Sequence, residues 1–276
     1  MPDPGIASGI FELRPFEFEM IRDLAMRSFG LDLRAGKERL VATRLGKHLR
    51  TAGYQSFRQY FDRVRADTSG EMLAGLIDAL TTNHTAFLRE PVHFDFLREL
   101  LCQDFRGRKR IDIWTAASAT GEEPYTLLFT ALSAAETAIP PDVHILASDI
   151  STRALSVAKR GCYSRERLAG LPVAWVNRFF TQADDGNLQV KPELRSRIAF
   201  QRINLIEPLA VNTTFPVIFC RNVMIYFNKA TQEALVNRLA AKLEPGGYLF
   251  VGHSESLSGI NHRLRYVRPA VYQKAK

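Results

Sequence analysis

The chain has 276 residues, 46% of them hydrophobic and 24% charged, with a formal net charge of +8. That balance describes a water-soluble protein of one large or two modest domains, and no apolar run approaches the ~20 residues needed to cross a bilayer. The N-terminal stretch Met1-Pro2-Asp3-Pro4-Gly5 lacks the basic and apolar regions of a signal peptide, so a cytoplasmic location is expected.

Residues 1–10 read as loose, and from Phe11 to about Leu80 the apolar pattern is helical. Phe18, Ile21 and Leu24 or Ala25 recur at three and four, Val41, Leu45 and Leu49 at four, and Phe57, Tyr60, Phe61 and Val64 follow. Residues 33–65 hold nine Lys or Arg against two acids, a local balance of +7 that accounts for nearly all of the chain's excess. Lys37, Arg44, Lys47 and His48 run beside the apolar stripe, with Arg50 further round the helix. The face is either an ordinary solvated surface or a dock for an anionic partner.

Thr81 to Pro91 is a polar, β-prone segment, followed by a helix-like His93 to Phe105. It suits a loop covering a pocket, with Asn83 and Thr85 as hydrogen-bonding groups and Arg89 as a fixed cation.

The stretch from Arg110 to Tyr125 organises the rest. A short apolar strand runs into a turn of small residues, Ala116 to Gly121, and then into a helix start in which Pro124 fits the first turn and Glu122 and Glu123 complement the dipole. Glutamates stand where a phosphate-binding loop needs lysine, and the Gly-x-Gly-x-x-Gly fingerprint is missing, so a ligand with hydroxyls or positive charge is favoured over one with phosphates. After a helix to about Ala135 and a break at Pro140-Pro141, Val143 to Asp149 is the second strand. Ser151 caps a helix from Thr152 to Arg160, which Gly161 closes. Asp149 stands where dinucleotide folds place the acid that binds ribose hydroxyls, or else serves only the following helix.

Phe179 to Val190 reads as a hairpin around Asp185-Gly186, which predicts a small antiparallel insertion at about 165–197. Ile198 to Asn204 and Pro216 to Asn222 are two further strands, so four strands finish in polar residues at one sheet edge, where open parallel sheets bind ligands. Asn228 caps a helix to Leu243, Pro245-Gly246-Gly247 turns the chain into a strand from Tyr248 to Gly252, and Val267 to Gln273 is expected as the last strand. Gly252-His253-Ser254-Glu255-Ser256 falls short of a nucleophile elbow because its fifth residue is serine, so a serine hydrolase is rejected. Three scattered cysteines, Cys102, Cys162 and Cys220, are expected as buried thiols, and the six histidines show no metal-ligand spacing.

Five blocks carry a resemblance to a family: Thr81 to Glu90, Ala119 to Tyr125, Ala147 to Ile150, Ile218 to Phe227 and Gly252 to Ser256. In order and content they resemble the chemotaxis receptor methyltransferase, CheR, over about residues 11–273. The resemblance implies an α/β protein, with an N-terminal all-helical domain and a Rossmann-like class I methyltransferase domain carrying a small antiparallel β insertion. The expected division is a receptor-docking domain at 1–80, a cofactor-covering segment and helix at 81–109, and an S-adenosylmethionine-binding domain at 110–276. The family moves a methyl group from S-adenosylmethionine to glutamate side chains of methyl-accepting chemotaxis receptors, leaving S-adenosylhomocysteine.

By the resemblance, Asn83, Thr85, Arg89, Ala117, Glu123, Asp149, Asn204, Leu205, Arg221 and Asn222 bind the cofactor, and no metal is required. Lys37, Arg44, Lys47 and Arg50 dock on the cytoplasmic helical region of the receptor, which is the protein's link to the membrane. A regulatory protein partner is compatible with this reading. Arg89 is expected to anchor the ligand carboxylate or the incoming glutamate. Tyr226 either lines the methyl-transfer channel or is a core aromatic of Val223 to Phe227. The turn from Gln182 to Val190 is short for gripping a receptor's C-terminal tether, so tether independence is expected. A nucleic-acid methyltransferase is disfavoured, since no Asn-Pro-Pro-Tyr motif is present and the basic face lacks interleaved aromatics. The remaining alternative is a non-catalytic module that binds S-adenosylmethionine and regulates a partner.

Overall fold

Helical periodicity in the first third and strand-length apolar runs in the rest resolve into two units, residues 1–82 and 83–276. The computed structural model describes residues 12–81, 84–134 and 142–276. The loose N-terminus, Phe11, Asn83 and the Pro140-Pro141 break therefore lie outside the described residues.

In the first unit, α1 (Pro15–Phe29) starts at a proline, with Glu17 accepting the Arg14 amide at 2.8 Å, and ends at Gly30 in the left-handed region (φ 73°). Next come α2 (Glu38–Thr51), α3 (Phe57–Ala66) and α4 (Glu71–Leu80). The expected apolar residues Val41, Leu45, Leu49, Phe57, Tyr60, Phe61 and Val64 are all buried. The fourth helix closes the stretch expected as helical to about Leu80, although none of its apolar positions was singled out; it packs Leu76, Ile77 and Leu80 inward behind an Asp67 carboxylate that accepts the Ser69 and Met72 amides. His48 meets the edge of Tyr60, ring centroids 5.4 Å apart. Burial lowers its pKa below the usual 6.5, with Asp78 opposing. The unfolded chain then takes up the proton more readily than the folded one, so stability is full above about pH 6.5 and declines as pH falls below it. Replacing His48 by Gln should flatten that acid limb in a helix-monitored melting series from pH 7.5 to 5.

The second unit opens with α5 (Val92–Cys102), β1 (Arg110–Ala116), α6 (Glu122–Ala134), β2 (Asp142–Asp149) and α7 (Thr152–Arg160). Ser151 Oγ accepts the Ala154 amide and Gly161 sits at φ 61°, the cap and stop expected for α7. The insertion follows as β3 (Cys162–Tyr163), α8 (Arg165–Leu168), α9 (Val173–Phe179), β4 (Phe180–Gln182), β5 (Leu188–Val190) and α10 (Pro192–Arg195). Its sheet has the order β3-β5-β4, all antiparallel, with the Asp185-Gly186 hairpin where it was expected and its first strand slightly earlier. Then come β6 (Ile198–Arg202), β7 (Phe215–Cys220), a 3-10 turn at Met224–Tyr226, α11 (Lys229–Lys242), β8 (Leu243–Val251), β9 (Leu264–Arg268) and β10 (Val271–Lys274). Asn228 Oδ1 caps α11 through the Thr231 amide.

The main sheet runs β6-β2-β1-β7-β8-β10-β9, with parallel pairings as far as β8 and antiparallel ones where β10 joins β8 and β9 joins β10. Side chains alternate between its faces. Ile111, Ile113, Val217, Phe219 and Phe250 join α5, α6 and the insertion on one side, where Phe219 and Phe250 stack at 4.2 Å. Trp114, Ile218, Leu249 and Val251 join α11 on the other. Trp114 is fully buried, and its indole N–H donates to Ser148 Oγ at 2.9 Å. The chain places β2 on one side of β1 and β7 on the other, so the order reverses at β1, and the carboxyl ends at such a reversal are where open α/β sheets bind ligands.

Three expectations need correction. The last strand is a hairpin, turning at Pro269-Ala270 with Ala270 at φ 60°. Pro245-Gly246-Gly247 lies within β8, as a bulge opposite Pro216 where the pairing with β7 shifts register. Of the cysteines only Cys220 is buried; Cys102 ends α5 exposed to solvent and Cys162 is half-buried in β3.

Candidate active site

The turn after β1 is shaped by backbone conformation. Ala117 and Ala119 both have positive φ, 80° and 47°, and the amides of Ala117 and Ser118 converge on the Ser148 carbonyl at 2.8 Å each. Alanine bears this strain because nothing beyond Cβ must be placed. Gly121, at φ 101°, has no room for a Cβ, which would stand 2.6 Å from the Tyr163 hydroxyl and 2.9 Å from Ala158 Cα. Asp149, at the end of β2, accepts the Ala119 amide through Oδ2 and the Ser151 amide through Oδ1, both at 2.9 Å. Its carboxylate is thus held at the mouth of the small-residue turn. Ser118 is 1% exposed and its hydroxyl has no hydrogen-bond partner.

Beyond β7 the chain turns through Arg221 and Asn222, the latter at φ 59°. The Arg221 side chain is 1% exposed and bridges two carboxylates, Glu123 at 2.7 Å and Glu90 at 2.9 Å, while also donating to the Arg89 carbonyl. Thr115 Oγ1 donates to the other oxygen of Glu123 at 2.6 Å. Burial alone would raise the Glu90 carboxyl, but the Arg221 guanidinium, Asn222 Nδ2 and the His253 amide hold it below the usual range. One network therefore joins the segment before α5, the start of α6, the end of β7 and the turn after β8.

Glu255 anchors the other side. Its Oε2 accepts the amides of Asn222 (2.8 Å) and Gly252 (2.6 Å), and its Oε1 those of Met224 (2.7 Å) and Ile225 (3.3 Å). Burial pushes its pKa up against the pull of those four donors. Residues 252–256 are thus a brace for the turn that presents Asn222 and Tyr226.

The first unit matches the family profile described as CheR methyltransferase, all-alpha domain, over residues 17–81, and the second matches CheR methyltransferase, SAM binding domain, over residues 83–272. The chain belongs to the CheR methyltransferase family. It is 38% identical to Chemotaxis protein methyltransferase 2 of Pseudomonas aeruginosa, covering 99% of this chain and 98% of that one. It is 35% identical to the Chemotaxis protein methyltransferase of Borreliella burgdorferi, over 94% of each chain, and 38% identical to that of Klebsiella aerogenes, over 94% of this chain and 89% of that one.

In this CheR family member the fold brings Ala117, Glu123, Asp149, Arg221 and Asn222 to the carboxyl ends of β1, β2 and β7. Asn204 and Leu205 follow β6 at the same edge; Asn204 Nδ2 donates to Glu207 at 2.7 Å and the Leu205 carbonyl accepts Arg238. Arg89 Nη1 donates to the His84 carbonyl at 2.8 Å, and Thr85 is half-buried in the same segment. Asn83 lies outside the described residues. Tyr226 is half-buried in the 3-10 turn and packs against the apolar cluster beside α11, so it combines a core contact with partial exposure. Sequence reasoning gave no role to Glu90, Ser118 or Glu255, although Glu90 and Glu255 sit inside the motif blocks that carry the resemblance. In the helical unit, Lys37, Lys47 and Arg50 are exposed, whereas Arg44 is half-buried and donates to the Leu80 carbonyl at 2.8 Å.

Proposed function

We propose that this chain transfers the methyl group of S-adenosylmethionine to glutamate carboxylates of methyl-accepting chemotaxis receptors, forming glutamyl methyl esters. The observation that carries the reading is the strained alanine turn with Asp149 fixed at its mouth, on the edge where the strand order reverses. A turn of small residues, a buried hydroxyl without a partner at Ser118 and a positioned acid suit a ligand with ribose hydroxyls and a cationic centre. Asp149 and the Ala117 to Ala119 backbone would hold the nucleoside part. Thr85, Arg89, Glu123, Asn204, Leu205 and Asn222 are assigned to the rest of the cofactor, as is Asn83 by the resemblance alone. Arg221 fixes Glu123 and Glu90.

S-adenosylmethionine, when bound, supplies an electrophilic methyl on sulfur. The nucleophile is a carboxylate, already ionised at neutral pH, so no side chain of the chain has to remove a proton. What the protein contributes is position and dryness: holding two reactants in line supplies ~7 to 11 kcal/mol of the barrier reduction available to such reactions. Arg89 is assigned to a carboxylate, that of the cofactor or of the incoming glutamate, and Tyr226 to the wall of the transfer channel.

The deciding experiment follows labelled methyl from S-adenosylmethionine into a receptor cytoplasmic fragment. Label on glutamate that alkali releases as methanol supports the reading, and cofactor binding without transfer to any receptor fragment overturns it. Asp149→Ala should weaken cofactor binding at least ~10-fold, the order of one charge-assisted hydrogen bond.

The basic face of α2 is assigned to the receptor. Arg44 already serves the helical unit, so the reversals to test are Lys37→Glu with Lys47→Glu, both at exposed positions. They should weaken receptor methylation, more so at low salt where the wild-type attraction is least screened, and leave cofactor affinity at the wild-type value. Equal loss of both, measured by transfer rate and calorimetry, would remove docking from this face.

A further inference from the structure

The six histidines are scattered along the sequence, yet the fold gathers two of them around a carboxylate. Glu90 and His93 are three residues apart at the start of α5, where the His93 amide donates to the Glu90 carbonyl at 3.1 Å. That spacing sets both side chains over one turn. His93 Nδ1 lies 3.5 Å from Glu90 Oε2, and His253, from the turn after β8, brings its ring centroid to 4.7 Å from that of His93. One ligand-capable atom from each of the three falls within 4.8 Å of the others. Two ligands ~2.1 Å from a tetrahedral zinc ion stand roughly 3.4 Å apart, so the Glu90–His93 pair already has the spacing of one tetrahedral edge.

His93 supplies an independent sign. It is 1% exposed, lies edge-on to Phe250 at 5.5 Å and Phe219 at 6.4 Å, and neither of its ring nitrogens makes a hydrogen bond. A buried imidazole without partners is costly unless something takes its lone pair. His253, by contrast, is exposed, which leaves a route in from solvent. The local charge also permits a cation, because Arg221 faces two carboxylates, Glu90 and Glu123.

We propose that Glu90, His93 and His253 form a binding site for a borderline divalent transition metal ion such as Zn2+, with a solvent molecule completing the coordination. Two imidazoles and one carboxylate are a donor set that Zn2+ accepts, and the fourth position stays open. Glu90 Oε2 also accepts from Arg221 and from the His253 amide, so a metal competes with the guanidinium for that oxygen. Occupancy then bears directly on the ion-pair network beside Asn222.

The test is titration of the purified full-length, chelator-treated protein with Zn2+ in competition with a chromogenic chelator, and with Co2+ followed by visible absorption. One equivalent should bind, with the ligand-field bands of four-coordinate Co2+. His253→Ala, a change at an exposed position, should weaken Zn2+ by at least ~10-fold and abolish those bands while the far-ultraviolet circular dichroism is retained. His144→Ala, at the surface pair that His144 makes with Asp142, serves as the control and should bind as wild type does. Failure to bind one equivalent overturns the proposal, as does an affinity unchanged in His253→Ala or lost equally in His144→Ala. None of these readouts depends on methyl transfer.

Discussion

Replacing Arg221 by Ala should destabilise the second unit by about 3–5 kcal/mol, enough to leave little cofactor binding at physiological temperature. The size follows from what stays behind. The Glu90 and Glu123 side chains are only 15% and 12% exposed, and each would keep a charge with its principal counter-ion gone. The Arg89 carbonyl would lose a donor as well. Lysine is expected to rescue poorly, because one ammonium cannot reproduce a planar fork that reaches two carboxylates and a carbonyl at once. If the loss comes from stranded charge, Arg221→Met combined with Glu90→Gln and Glu123→Gln should recover much of the stability without restoring activity. Urea denaturation of the single and triple variants checks this; a triple variant as unstable as the single one would place the cost in packing against Phe94 and Phe219 instead.

The second large effect is expected at Glu255. Truncation to Ala leaves the amides of Asn222, Gly252, Met224 and Ile225 without their acceptor, and each unpaired buried donor costs roughly 1–3 kcal/mol before water enters to offset part of it. The turn carrying Asn222 and Tyr226 should loosen, seen as faster hydrogen exchange at those amides and at least ~10-fold weaker cofactor binding. Glu255→Gln tests the anion itself. Its single oxygen serves one pair of amides and its NH2 faces the other, so Gln should recover about half of the lost stability. Full recovery would mean that shape rather than charge holds the turn.

Much of the fold was legible because its signals are local. Ser151 and Asn228 cap their helices, Gly161 ends one, and Asp185-Gly186 closes a hairpin, each within a few residues of the element it controls. The carboxyl-edge cluster was legible for a related reason: a polar residue ending an apolar run marks the edge whatever the strand order. What escaped depends on distant residues or on unusual backbone. Arg221 and Glu90 are 131 residues apart, and no spacing rule links them. Glu255 looked like part of a failed nucleophile motif because its four partners are main-chain amides, which have no letter in the sequence. The terminal hairpin was hidden because Ala270 occupies a left-handed position that usually advertises itself with Gly or Asn. Pro245-Gly246-Gly247 signalled a turn, while the fold uses it as a bulge in which a Cβ on Gly247 would stand 3.0 Å from the Glu244 carbonyl.

The burial of Trp114 has a practical corollary. The chain has two tryptophans, Trp114 behind the alanine turn and Trp175 in the insertion, and both belong to the second unit. Indole fluorescence is therefore a private channel onto that unit, and the helical unit is dark to it. Emission and helical circular dichroism, recorded on one sample, would separate two melting events that either signal alone would blur. Trp114 donates to Ser148, whose carbonyl gathers the amides of the alanine turn, so its emission is also placed to register a ligand arriving there without any attached dye.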